Sequence, residues 1–94
     1  MDNSLTERQL SEGIAFLQRC GSILQQSRSI TFRICQTGPF SISMILSCPQ
    51  TTILNDRTKD VLLDLLDASD EIAFQSEDDR ILLILDFDPR FLVL

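Results

Sequence analysis

The spacing of apolar residues along the chain changes from a helical period to a strand period, and this change then occurs a second time. Between about residue 5 and residue 26, apolar side chains recur every three or four positions, as on one face of a helix. From 29 to 47 they alternate with polar side chains on either side of Thr37-Gly38-Pro39, which predicts two strands joined by a turn. The first half, 4–47, is therefore predicted to be a helix followed by a β-hairpin.

The second half, 54–87, has the same order on a smaller scale. A helix is predicted from Asn55 or Asp56 to about residue 68, and two short strands follow, 71–75 and 80–87. The order helix, hairpin, helix, hairpin predicts a single α+β domain in which two helices pack on antiparallel hairpins. A short apolar tail, 88–94, completes the chain.

Two sequence features within these elements suggest more specific packing. The triplets Ile30-Thr31-Phe32 and Ile72-Ala73-Phe74 follow the two helices in similar places, which suggests that the halves are pseudo-symmetric. Gly13 and Gly21 lie inside the first helix, where each glycine costs about 1 kcal/mol relative to alanine. We therefore expect another backbone to approach the helix closely at these glycines.

The last strand is apolar on both faces. Residues 81–85 are all aliphatic, and strands of this kind normally lie in sheets that are covered on both sides. Two helices from a chain of this length cover one face of a four-stranded sheet but hardly two. The second cover is expected to be the tail with its final Phe91–Leu94, a second copy of the chain, or a partner protein.

Charge is divided unequally between the two halves. Residues 1–47 carry three acids and four arginines, a net charge of +1, whereas residues 48–94 carry eleven acids and four bases, a net charge of −7. The overall charge of −6 argues against binding of nucleic acid phosphates, which rests on lysine and arginine. In the second helix, four aspartates form a stripe that is interpreted either as a solvated face or as a docking surface for a basic segment: Asp56, Asp60, Asp64 and Asp67.

The residues that most catalytic and metal sites need are missing from the sequence. There is no histidine, tyrosine or tryptophan, and no glycine-rich phosphate loop. The three cysteines, Cys20, Cys35 and Cys48, have neither CxxC spacing nor histidines to complete a zinc site, which predicts free thiols in a reducing cytoplasm. The polar first ten residues are unlike a signal peptide, and the longest aliphatic run is too short to span a membrane. We expect a cytoplasmic protein that is not an enzyme and has no cofactor.

A resemblance to a known family adds a more specific expectation. Four segments follow one another as helix, hairpin, helix and hairpin: SLTERQLSEGIAFLQRCGSILQQ, SITFRICQTGPFSISMIL, NDRTKDVLLDLLDA and EIAFQSEDDRILLILDF. In size and element order the chain resembles the small carboxysome assembly factors of cyanobacteria, the CcmS family. The resemblance implies a pincer-like protein at the carboxysome shell, which binds the C-terminal extension of a hexameric shell protein and assists shell assembly. No binding residue carries over by position.

The residues themselves favour a non-catalytic interaction module that captures a peptide or a terminal extension of a partner protein, for example by strand addition to a hairpin edge. The candidate contacts are four apolar residues near the C-terminus and three acids of the stripe: Leu82, Ile84, Phe91 and Leu92, with Asp60, Asp64 and Asp67. One alternative is a small acidic secretion-type chaperone, a dimer that holds an unfolded client. Another is an acidic mimic of nucleic acid. A homodimer that buries the last strand and the tail is compatible with each of these functions.

Overall fold

The structure, a computed structural model, describes residues 3–26, 30–50 and 55–92, except for the side chains of 3–6 and 91–92. Its elements, in chain order, are α1 (Asn3–Leu24), β1 (Thr31–Gly38), β2 (Ser41–Pro49), α2 (Asp56–Ala68), β3 (Glu71–Glu77), β4 (Arg80–Phe87) and the short α3 (Pro89–Leu92). The predicted α+β fold of alternating helices and antiparallel hairpins is confirmed. The tail was not predicted to be helical, but Pro89 favours the first position of a helix because its fixed φ suits that position.

The four strands form one antiparallel sheet in the order β1-β2-β4-β3. The two hairpins meet through β2 and β4, where Ile45 lies opposite Ile84. This leaves β1 and β3 as the edge strands. The triplets that suggested pseudo-symmetry do not occupy equivalent places, because Phe32 pairs with Leu46 whereas Phe74 pairs with Leu83, much closer to the turn of its own hairpin.

Both long helices pack on the same face of the sheet, which we call the inner face. The buried core consists of apolar residues from both helices, from the residue that precedes β1 and from the two central strands: Leu17, Cys20, Leu24, Ile30, Ile42, Met44, Leu46, Leu65, Leu85 and Phe87. Side chains alternate along a strand. The residues between these core positions on β2 and β4 therefore point to the opposite side, the outer face.

This arrangement separates the two apolar faces of the last strand. Ile81, Leu83 and Leu85 point to the inner face, where Leu85 is fully buried, whereas Leu82 and Ile84 point to the outer face. The short helix α3 contacts α1, so the described part of the tail lies on the helix side of the sheet. Of the three covers that the sequence left open, the tail therefore does not serve as the cover of the outer face over residues 89–92.

The tail helix is held in place by local polar contacts. Asp88 precedes α3, and its carboxylate accepts hydrogen bonds from the backbone N–H of Arg90 at 3.0 Å and from the Arg90 guanidinium at 2.6 Å. These bonds hold the pKa of Asp88 below its usual value. The guanidinium also lies 4.4 Å from the centre of the Phe40 ring, a cation–π contact that ties α3 to the turn between β1 and β2.

A close approach at Gly21 explains one of the two glycines in α1. A Cβ atom at this position would lie 2.5 Å from the Phe32 ring, well inside van der Waals contact. The group that approaches is thus an aromatic side chain of β1 rather than the backbone that the sequence led us to expect. Because the ring packs directly on the helix backbone, α1 and β1 come close together here.

Gly21→Ala is expected to destabilise the protein by about 1–2 kcal/mol, because the overpacking penalty of about 1–3 kcal/mol exceeds the helix propensity gained. Urea unfolding of the two proteins measures the difference. The control is Ser22→Ala, an exposed neighbour on the same helix, which we expect to be neutral or slightly stabilising. Phe32→Leu added to Gly21→Ala should recover part of the loss. Equal stability of Gly21→Ala and the wild type would contradict the ring contact.

Candidate functional site

The strand β3 differs from the other three because every one of its residues is exposed. Ile72 and Phe74 pair with Leu85 and Leu83, so they belong to the inner face, yet they remain 53% and 62% exposed. The helix α2 packs on the sheet through Leu65, which is in the core with the residues of β2 and β4. The cover that the helices give to the inner face therefore stops at β4.

The exposed side chains form a continuous apolar surface with their neighbours on β4. We call this surface the β3 shelf, and define it as Ile72, Phe74, Ile81 and Leu83. It is continuous because Phe74 lies directly opposite Leu83 on the same face of the sheet. An exposed apolar surface of this kind makes the β3 shelf the candidate contact surface of the domain.

A cavity of about 140 Å³ lies next to the β3 shelf, between the two central strands and the two long helices. Its walls are mostly apolar and share Ile81 and Leu83 with the β3 shelf: Leu24, Ile30, Leu46, Cys48, Pro49, Gln50, Leu62, Ile81 and Leu83. A cavity of roughly this volume in a protein core accepts a molecule the size of benzene. Burial raises the pKa of the Cys48 thiol, and Arg80 opposes that shift, so the thiol is uncharged near neutral pH.

The outer edge of β3 has no partner strand among the residues that the structure describes, so it presents unpaired backbone hydrogen-bonding groups. An edge strand pairs on one side only, so alternate N–H and C=O groups of Glu71–Glu77 point away from the sheet. The turn that follows is fixed by Gln50, whose side-chain amide donates to the carbonyl oxygen of Asp78 and to Oγ of Ser76, both at 3.1 Å. Asp78 adopts a left-handed backbone conformation in this turn, with φ of 50°.

Acidic side chains surround this edge. Five exposed residues at the two ends of β3 and in its turn make up what we call the acidic rim: Asp70, Glu71, Glu77, Asp78 and Asp79. The other edge strand, β1, is different. Its inner-face residues Phe32 and Ile34 are half-buried and pack against the core, and Arg33 is exposed on its outer face. The two edges of the sheet therefore differ in both charge and cover.

The structure does not bring the candidate residues from the sequence together. Leu82 and Ile84 are half-buried on the outer face, and Phe91 and Leu92 belong to α3, with side chains outside the described residues. The three candidate acids of α2 are exposed on the other side of the sheet: Asp60, Asp64 and Asp67. The sheet thus separates Leu82 and Ile84 from these aspartates, so they do not form one surface.

The aspartates also point away from β3. Burial raises the pKa of the Cys20 thiol in α1, and Asp64 adds to that increase, which places Asp64 near α1. Residues two apart on a helix lie on nearly opposite flanks, so Leu62 and Leu66 face away from Asp60 and Asp64. The flank of α2 that carries these aspartates is therefore directed to α1, which packs against β1, and not to β3.

The sequence interpretation did not single out Ile72 and Phe74 as candidate contact residues. Their alternation predicts a strand with one buried face, and nothing in the alternation says whether a helix covers that face. The signal that was available is the length of the helices, since α2 has 13 residues and α1 has 22. The shorter helix has less apolar surface with which to cover its hairpin.

These features define a small α+β domain in which one of the two edge strands, β3, carries an uncovered apolar shelf and an acidic rim. Comparison of the chain with models of protein families, with curated proteins and with solved structures finds no match. Among the described residues, no three cysteine, aspartate or glutamate side chains are grouped so that they would hold a metal ion. No helix in the described ranges is both long enough and apolar enough to cross a membrane.

Proposed function

We propose that this protein is a non-catalytic binding module that captures an extended peptide segment of a partner as an added strand on β3. The observation that carries the proposal is the exposure of Ile72 and Phe74 on an edge strand that pairs on one side only among the described residues. Strand addition joins the two features in one mode of binding. The backbone of the peptide pairs with the edge, and its alternate side chains pack beside Ile72 and Phe74.

The chemistry of the surface specifies the peptide. Side chains directed to the inner face are apolar, because they lie beside Phe74 and Ile72. The flanks are basic, because the acidic rim carries five carboxylates within a short distance of the edge. The cavity lies over β2 and β4, whereas an added strand would lie beyond β3. The side chains of the peptide therefore do not reach the cavity.

A second copy of this chain fits the β3 edge less well than a basic peptide does. If two copies paired antiparallel about Phe74, Glu71 of each would face Glu77 of the other. Like charges that face each other directly across two strands destabilise the pairing. The acidic rim would add further repulsion between the two copies.

The resemblance to carboxysome assembly factors gives the partner a more specific identity. On that basis the captured segment is the C-terminal extension of a hexameric carboxysome shell protein, and binding assists shell assembly. The size of the surface supports a short segment, since β3 has seven residues. A surface of this length suits a terminal peptide better than the long unfolded client of a secretion-type chaperone.

Selection from a random peptide library displayed on phage tests the function without a known partner. We expect enriched sequences with apolar residues at alternate positions and lysine or arginine on the flanks. Enrichment of amphipathic helical sequences, or of no sequences above background, would contradict strand addition.

Charge at the acidic rim is expected to contribute to affinity and to its salt dependence. Glu71→Gln with Glu77→Gln should weaken a selected peptide by at least about threefold at low salt, because exposed charges within about 10 Å still interact there. The matched control, Asp60→Asn with Asp64→Asn, removes the same charge on the flank directed to α1 and should change affinity less. Fluorescence anisotropy from about 0.05 M to about 0.5 M salt measures both effects. Equal losses in the two variants would assign the effect to net charge alone.

A further inference from the structure

The outer face of the sheet has no helix on it among the described elements, and strand register arranges its side chains in rows. The central row runs from Arg33 on β1 through Ile45 and Ile84 to Ala73 on β3. The side chains at the two ends of this row are exposed, and the two isoleucines are half-buried by their neighbours in the sheet alone. This row is apolar in the middle and basic at the β1 end.

The next row is acidic at its β3 end. It runs from Cys35 through Ser43 to Asp86 and Glu71, and the last two carboxylates lie directly opposite each other. The Ser43 hydroxyl donates a hydrogen bond to Asp86. Two carboxylates in this arrangement repel each other, and their row contains no basic residue.

We propose that a second copy of this chain covers the outer face, related by a two-fold axis parallel to the strands. This axis places β1 of each copy over β3 of the other and keeps the rows in register. Ile45 then packs on Ile84 of the partner subunit. Arg33 lies above the small side chain of Ala73 and within reach of Glu71, where its guanidinium neutralises the acidic pair. This surface lies on the opposite side of the sheet from the β3 shelf, so the proposal goes beyond peptide binding.

The charge pattern selects this axis over the other in-plane axis. A two-fold axis perpendicular to the strands would place β1 over β1, and the central row over itself, so the two Arg33 side chains would meet. The axis parallel to the strands makes the face self-complementary, as the interface of a two-fold dimer must be. Sheets pack face to face in this way with their strands within about 30° of each other.

The size of the face sets the expected affinity. Four strands about 4.8 Å apart and about eight residues long give roughly 500 Å² per copy, or about 1,000 Å² in total. That area is at the lower limit for a specific interface. We therefore expect a dimer with a Kd in the micromolar range.

Analytical ultracentrifugation of the full chain at about 100 µM tests the dimer by charge exchange. The wild type is expected to be dimeric, whereas Arg33→Glu and Glu71→Arg should each weaken the dimer by at least about tenfold. An equimolar mixture of the two variants should be dimeric again, because each contact in the mixed dimer joins opposite charges. A monomeric wild type, an unweakened Arg33→Glu protein or a monomeric mixture would each overturn the proposal.

Methyl NMR of the wild type over a concentration series gives a second test that needs no variant. Shifts with rising concentration are expected at Ile45, Leu82 and Ile84. Shifts at the Ile72 methyl groups instead would place the second copy on the β3 shelf and overturn the outer-face dimer.

Discussion

Phe74→Ser is expected to weaken a library-selected peptide by about thirtyfold, the effect of losing about 2 kcal/mol from an aromatic hot spot. Among the described residues, Phe74 has the most exposed large apolar side chain. It lies at the middle of β3. An added strand would bury it between the peptide and Leu83. Its loss therefore removes apolar contact area from the complex without opening a cavity in the free protein.

Fluorescence anisotropy titrations measure the loss, and Phe40→Ser is the matched control. Phe40 is also an exposed phenylalanine, 40% accessible, but it lies in the turn between β1 and β2 beside Arg90. We expect Phe40→Ser to bind the peptide as the wild type does. An equal loss in the two variants, or full affinity in Phe74→Ser, would remove the β3 shelf from the mechanism.

The second large effect is on stability: Leu85→Ala is expected to cost about 3 kcal/mol, within the range of about 2–5 kcal/mol for a leucine removed from a core. Leu85 is fully buried, with Met44 opposite it on β2. Leu82→Ala on the same strand should cost about 1 kcal/mol, because its side chain is only half-buried on the outer face, which none of the described helices covers.

Urea unfolding at a chain concentration of about 0.2 µM, below a micromolar dimer Kd, measures this pair of variants. Both variants replace leucine by alanine in the same strand, β4. The change in strand propensity is therefore the same for the two variants. Similar losses would mean that the outer face is covered as fully as the inner face in the monomer, in conflict with the fold.

The sequence was sufficient to predict the two long helices and the four strands, though not α3, because the signals of these six elements are local. The strand β4 was predicted at 80–87, and α2 begins where its cap predicted, since the Asn55 side chain accepts a hydrogen bond from the backbone N–H of Thr58 at 2.8 Å. The alternation of Phe32 and Ile34 with polar neighbours likewise placed β1. Each of these signals depends only on residues within a few positions of one another.

Strand order was not predictable in the same way, because it depends on a long-range pairing. The pairing of β2 with β4 joins residues such as Ile45 and Ile84, and it makes β3 an edge strand. No local pattern encodes that choice. The exposure of Ile72 and Phe74 follows from it, which is why the site could not be located from the sequence.

The lack of long-range information in the sequence also explains why the candidate residues lie on different sides of the sheet. Leu82 was singled out because its strand is apolar on both faces, and Asp60 and Asp64 because they form a stripe on a helix. The sequence shows that each element has two sides but not which side of the sheet the helices occupy. Once both helices pack on the inner face, Leu82 and the aspartates lie on opposite sides of the sheet.

Amide hydrogen exchange of the full chain, with and without a library-selected peptide, tests strand addition most directly. The two edge strands provide the comparison within a single sample, since β1 and β3 each pair on one side only. We predict that the peptide slows exchange of alternate amides in 71–77 and leaves 31–38 unchanged, because backbone pairing protects only the N–H groups that point to the new strand. Protection of 31–38, or a bound peptide that leaves 71–77 unprotected, would contradict the proposed function.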